Sequence, residues 1–160
     1  MYLNIMHVTE IFPEIEIPPE ESVFFDNNIK RLHLATGDLF ITQGTICNSI
    51  AFVETGQLQS VITERNSRHV VAQYLKNQFV SSFNGFFNHE KSMWDVQALE
   101  PSILVIISDQ VFIKLCERHV CWSLFWLKVL EINSADLIKQ GKNILLSTKP
   151  DSNTSPQIEM

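Results

Sequence analysis

From Ile29 to Ile107 the chain runs in short apolar stretches, each closed by turn-forming residues at a spacing of roughly 8–12 positions. Lys30–Leu34 alternates polar and apolar, Thr36-Gly37-Asp38 turns, Leu39–Thr42 is extended, and Gln43-Gly44-Thr45 ends it. Ile50–Val53 follows, then a turn at Thr55-Gly56. In the next run, Gln57–Thr63, Leu58, Ser60 and Ile62 share one side and Gln59, Val61 and Thr63 the other. Glu64–Ser67 forms a polar hairpin tip, Val70–Leu75 resumes as strand, and Lys76-Asn77-Gln78 turns. After a less regular segment, Met93–Leu99 and Ile103–Ile107 read as two further strands around Glu100-Pro101-Ser102. Strands this short, divided by turns this regular, predict an all-β sandwich or roll, and a helical period of 3.6 fits the region badly.

The flanks have a different texture. Pro13, Pro18 and Pro19 break any long helix in the first twenty residues, but Pro18-Pro19-Glu20-Glu21 suits a helix start, with proline in the first turn and acids at its positive end. A short helix through about Asn28 is expected. At the other side Ser108 or Asp109 caps a helix running to about Cys116. A second helix runs from about Val120 to Leu146, and its first half is apolar on nearly every face. A helix of that kind must be covered on two sides, and one roll covers only one of them. A second copy of the chain is therefore expected on a heptad-like seam of Trp122, Phe125, Trp126, Val129 and Ile132. The expected organisation is an N-terminal segment (1–17), a domain over 18–146 whose dimerisation helix spans about 120–146, and a polar, turn-forming, disordered tail (147–160).

Composition limits the function. Of 160 residues, 45% are hydrophobic and 19% charged, which is globular, and 11 Phe with 3 Trp supply large core anchors. A net charge of −6 repels phosphate backbones and argues against nucleic-acid binding by this chain alone. Cys47, Cys116 and Cys121 make an odd set without C-x-x-C spacing, which suggests buried, reduced thiols in a cytoplasmic protein. No basic n-region with an apolar h-region opens the chain, and no apolar run approaches the ~20 residues that span a bilayer.

Several residues in this order resemble the cyclic-nucleotide-binding domain of Crp/Fnr-type transcription regulators. Gly37-Asp38 with Gly44 looks like that family's opening turn–strand–turn signature. Phe52-Val53-Glu54-Thr55-Gly56-Gln57-Leu58 looks like its aliphatic–Val–x–x–Gly–x–aliphatic hairpin, and Ala98–Ser102 followed by Leu104-Val105-Ile106 like the run into its last strand. Asn77–Phe83 looks most like the divergent, Bacteroidetes-like branch. The resemblance covers roughly residues 20–146. It implies a mainly β fold with flanking helices: a double-stranded β-helix, jelly-roll-like, followed by a long dimerisation helix.

It also implies two departures. Nucleotide-binding members carry a Gly-Glu-aliphatic-Ala segment, whose Glu holds the ribose, and an Arg-Ser/Thr-Ala segment, whose Arg neutralises the cyclic phosphate. Here Ser81-Ser82 stand at the first and Ser92-Met93-Trp94 at the second. Losing a buried charge-assisted contact costs about 2–5 kcal/mol, or some 30-fold or more in affinity. The expectation is that the domain does not bind cAMP or cGMP. Arg68 and Lys91 are near in sequence, and both read as surface charges. The loop from Phe79 to Trp94 would line the pocket, with Ser81, Ser82, Asn84 and Ser92 as uncharged polar groups and Phe83, Phe86, Phe87, Met93 and Trp94 as apolar ones. Such a lining suits an uncharged or aromatic small molecule, unless the aromatics plug a disused site. Second, the family's helix-turn-helix follows its long helix, whereas only a polar tail of about fourteen residues follows Leu146. Specific DNA binding by this chain is not expected, and a pure dimerisation module is the remaining alternative.

Nothing in the sequence reads as an enzyme. His7, His33, His69, His89 and His119 are scattered without H-x-H or H-x-x-x-H pairing, so neither a metal site nor a cofactor is expected. No Gly-x-Ser-x-Gly elbow, P-loop or Gly-rich dinucleotide turn occurs.

Overall fold

A computed structural model describes residues 6–147. A one-turn helix α1 (Val8–Ile11) and a longer α2 (Pro19–Asn28) precede eight strands: β1 (Lys30–Leu34), β2 (Leu39–Ile41), β3 (Ser49–Thr55), β4 (Leu58–Glu64), β5 (Ser67–Tyr74), β6 (Phe79–Val80), β7 (Asp95–Ala98) and β8 (Ser102–Ser108). A short α3 (Phe83–Asn88) interrupts them between β6 and β7, and α4 (Asp109–Arg118) and α5 (Val120–Ser147) follow. The strands form two four-stranded antiparallel sheets, ordered β1-β8-β3-β6 and β2-β7-β4-β5. This is the β-roll that the turn spacing predicts.

The two sheets enclose one core, which holds Leu34, Ala51, Val53, Leu58, Val80, Val96 and Leu104. The outer face of the first sheet carries the alternate residues Ile50, Phe52, Phe79, Val105 and Ile107, and these pack under the helices with Trp122, Phe125, Trp126 and Val129. That double burial explains why Ile50–Val53 is an unbroken apolar run, since a strand covered on both faces has no polar side to show. The β3–β4 turn depends on Gly56, at φ 98°, where a Cβ would lie 2.6 Å from Ser102 Cβ. At the β4–β5 tip Arg65 and Asn66 both take positive φ, the geometry of a two-residue type I′ hairpin.

Several expectations need correcting. β4 stays in register with β7, and its pairing with β5 shifts between Ser60 and Val61 because Val71 of β5 is an extra, unpaired residue there. Val61, on the other face from Ser60, is buried as well and Ile62 is only half-buried, so burial does not follow the two-sided split read from the sequence. The strand expected from Met93 begins at Asp95, because the Ser92 hydroxyl donates to Trp94 O (2.7 Å) and accepts from Trp94 N (3.3 Å), folding the chain before it. The described part of the N-terminal segment, residues 6–17, is not separate in packing: Val8, Phe12 and Ile17 are buried in the helix-side core, with Phe12 against Phe125 at 5.0 Å. The tail from 148 onward lies outside the described residues.

The expected seam on α5 is spent within the chain. Trp122, Phe125, Trp126 and Val129 are each at most 4% exposed, and only Ile132 of that set is open, at 37%. Trp122 stacks on Phe25 (5.4 Å) and Trp126 packs on Phe112 (4.8 Å). The face left uncovered is the opposite one, with Val120, Leu124, Leu127 and Ile138. A buried trio fixes the helix at its start: Arg118 donates two 3.0 Å hydrogen bonds to Glu21, and Trp122 Nε1 donates a third at 2.9 Å. These bonds, Arg118's foremost, hold the Glu21 carboxyl below its ordinary range against the opposing effect of burial. Burial pushes the Cys116 and Cys121 thiols up, as unreactive thiols require.

Candidate functional site

The segment after β5 builds a cavity between the roll and α5. β6 is followed by the buried Ser81 and Ser82, where the chain leaves the sheet, and α3 begins at once at Phe83. Asn and Gly are weak helix formers, so α3 owes its form to packing. Phe86 packs on Phe112 (5.3 Å), and at Gly85 an added Cβ would stand 2.9 Å from Glu90 O. His89, in the left-handed region, closes the helix and returns the chain toward β7.

The resulting cavity has a volume of about 280 Å³. Six of the seven residues expected from sequence line it: Ser81, Ser82, Phe83, Asn84, Met93 and Trp94. Ser92 does not, being 3% exposed with its hydroxyl turned onto the Trp94 backbone. Phe86 and Phe87 are also displaced, into a cluster with Phe112. The site is therefore open rather than plugged by its aromatics. Ser81 Oγ donates to Ser49 O at 2.8 Å, whereas no hydrogen bond occupies the Ser82 hydroxyl among the described residues.

Phe79, Glu90 and Lys91 also line it; they fall in the Phe79–Trp94 segment expected there but were not singled out as site residues. Tyr74 and Gln78, from the end of β5 and the turn into β6, and Asn133 and Asp136, from α5, were not read from sequence. The α5 pair carries a signal in retrospect. Trp122, Phe125 and Val129 lie on one helical stripe, and Asn133 and Asp136 continue it at the same spacing. The stripe turns from aromatic to polar where the helix passes from packed core to open cavity. Lys91, taken from sequence as a surface charge, is exposed and also lines the cavity. Arg68 instead bonds Gln97 Oε1 (3.3 Å) on the roll and is not part of the lining.

Among the described residues no arginine lines this space, and the ionic groups that do are Glu90, Asp136 and Lys91. Trp94 Nε1 and Asn133 Nδ2 are buried donors without a partner among the described residues. Among those residues no set of three or more His, Cys, Asp or Glu is placed to hold a metal ion, and no helix is long and apolar enough to cross a membrane.

Two four-stranded antiparallel sheets with flanking helices, and a cavity between the β6–β7 connection and a long C-terminal helix, define the class as a β-roll of the cyclic-nucleotide-binding type. The family model of the cyclic nucleotide-binding domain matches residues 31–119, more than half of the chain, and the protein belongs to that family. Among solved structures it is similar to a cyclic nucleotide-binding domain from Methylobacillus flagellatus KT, at TM-score 0.75 and 12% identity, over 91% of this chain and 84% of that one. It is similar to a CooA mutant from Carboxydothermus hydrogenoformans, at TM-score 0.64 and 17% identity, over 94% of this chain and 91% of that one. It is also similar to the Thermus thermophilus catabolite activator protein, at TM-score 0.61 and 18% identity, over 82% of this chain and 61% of that one. The last two are Crp/Fnr-type regulators, and the likeness at these identities is one of fold. Among curated proteins none matches the chain.

Proposed function

We propose that the chain is the sensor part of a Crp/Fnr-type transcription regulator, a cytoplasmic, non-catalytic homodimer whose cavity takes a small molecule other than cAMP or cGMP. The observation that carries the reading is the open 280 Å³ cavity with serines, and no arginine, on its lining. An anionic cyclic phosphate entering there meets Glu90 and Asp136 against the single cation Lys91, without a guanidinium to clamp it. The lining joins the roll to α5, so an occupant touches both, and α5 is the element that can pass occupancy on to whatever it is joined to. An open cavity supports the small-molecule reading over a pure dimerisation module.

The homodimer is supported by the uncovered face of α5. Val120, Leu124, Leu127 and Ile138 are 67%, 52%, 63% and 74% exposed and fall on one heptad register, whose intervening positions are Glu131 and Ser134. Sedimentation is expected to give a dimer for the native chain and a monomer for Leu124→Glu. A native monomer, or a variant that remains dimeric, overturns the seam. Calorimetric titration with cAMP and with cGMP is expected to show no micromolar binding, and micromolar binding of either overturns the reading of the cavity.

A further inference from the structure

We infer that the cavity selects a small aryl-bearing organic cation, such as an aromatic amine in its ammonium form. The inference deepens the small-molecule reading above and rests on it. Three features of the lining carry it. Tyr74, Phe79, Phe83 and Trp94 supply aromatic surface, which binds an aryl group and attracts a cation through the ring faces. Glu90, Asp136 and Lys91 give the lining two negative charges against one positive, and none of the three has an ion-pair partner among the described residues. The two acids come from different elements, Glu90 from the loop after α3 and Asp136 from α5, so a bound ammonium draws those elements together. The volume of about 280 Å³ is just below the roughly 300–1,000 Å³ typical of small-molecule sites, which suits a molecule of one or two rings. The unpartnered donors Trp94 Nε1 and Asn133 Nδ2 add a place for a hydrogen-bond acceptor on the same molecule.

The test uses three probes of one shape and different charge: tryptamine (cationic), 3-methylindole (neutral) and indole-3-propionate (anionic), titrated calorimetrically into the full chain. Tryptamine is expected to bind about tenfold more tightly than indole-3-propionate, the combined effect of partly screened charge and ring attraction. The double variant Glu90→Gln, Asp136→Asn is expected to lose most of that preference while keeping its affinity for 3-methylindole, which also shows that it is folded. If all three probes bind equally, the cavity binds small molecules and the charge preference is overturned. If the double variant retains the full preference, the two carboxylates are not its source and the inference falls. If none of the three binds, the small-molecule reading falls with it.

Discussion

On one face of α5, Trp122, Phe125, Trp126 and Val129 are sealed against α1, α2, α4 and the first sheet, and on the opposite face Val120, Leu124 and Leu127 are more than half exposed. Both faces are apolar, and hydrophobicity alone ranks neither as the inner one. What separates them is the size and shape of the side chains. The roll, the N-terminal helices and α4 offer an aromatic bed of Phe12, Phe25, Phe79 and Phe112, and the large rings of α5 fill it, edge to face on Phe12 and Phe79 and stacked on Phe25. Smaller aliphatic side chains at heptad spacing are left outside, where a helix of the same kind can interlock with them.

The largest break in this comparison is expected on the sealed face. Phe125 is fully buried and touches Phe12 (5.0 Å), Phe79 (6.1 Å), Trp122 (5.8 Å) and Trp126 (5.2 Å). Phe125→Ala should cost about 3–5 kcal/mol through the cavity it leaves. Against the 5–15 kcal/mol total of an ordinary domain, roughly, that is a large loss. Urea unfolding reads it directly, and a loss below about 1 kcal/mol contradicts the assignment of this face to the chain's own core.

A smaller effect is expected where the sealed face begins. Glu21→Gln removes the charge that Arg118 and Trp122 share, and about 1–3 kcal/mol should be lost, less than for a fully enclosed pair because Arg118 is 37% exposed. The pH dependence sharpens the point. The Glu21 carboxyl is held below its ordinary value in the folded chain, chiefly by the Arg118 hydrogen bonds. Its ionised form therefore stabilises the fold fully above the ordinary value of 4.5, and that contribution fades as pH falls through the depressed one. The difference in unfolding free energy between the native chain and Glu21→Gln should be constant near neutral pH and shrink in acid. A gap that widens in acid contradicts the pairing.

How much of this was legible beforehand differs by region for the same reason. Strands β1–β5, β7 and β8 follow from turn residues at fixed spacing, because Gly37, Gly44, Gly56 and the Arg65-Asn66 tip take backbone angles that few other residues accept. β6 and α3 carry no such signal: two residues are too few for a period, and α3 is held by contacts at Gly85 and Phe86 instead of by propensity. The bulge at Val71 is equally silent, since the apolar run Val70–Ala72 carries no turn residue to mark it. Of the cavity, the loop residues were legible through the resemblance in their order. Asn133 and Asp136 were not, because they lie some forty residues away and become neighbours only once α5 crosses the roll. The proposed seam differs from the expected one because the expected heptad begins at Trp122, on the face whose larger rings are buried within the chain, whereas Val120, Leu124 and Leu127 start another on the exposed face.

The smallest effect is expected on the open face, and it decides whether the two faces differ in kind. Leu124 is half exposed in the chain and contributes nothing to either core cluster, so Leu124→Glu should leave the unfolding free energy of the monomer within about 0.5 kcal/mol of the native value. Glutamate is nearly as good a helix former as leucine, so helix propensity does not confuse the result. The comparison must be made at a protein concentration where the native chain has also dissociated, since a dimer's stability rises with concentration. Under those conditions any stability that native protein gains on concentration, and that Leu124→Glu fails to gain, belongs to the seam alone. A variant destabilised by several kcal/mol as a monomer would place Leu124 in the chain's own packing and merge the two faces into one core.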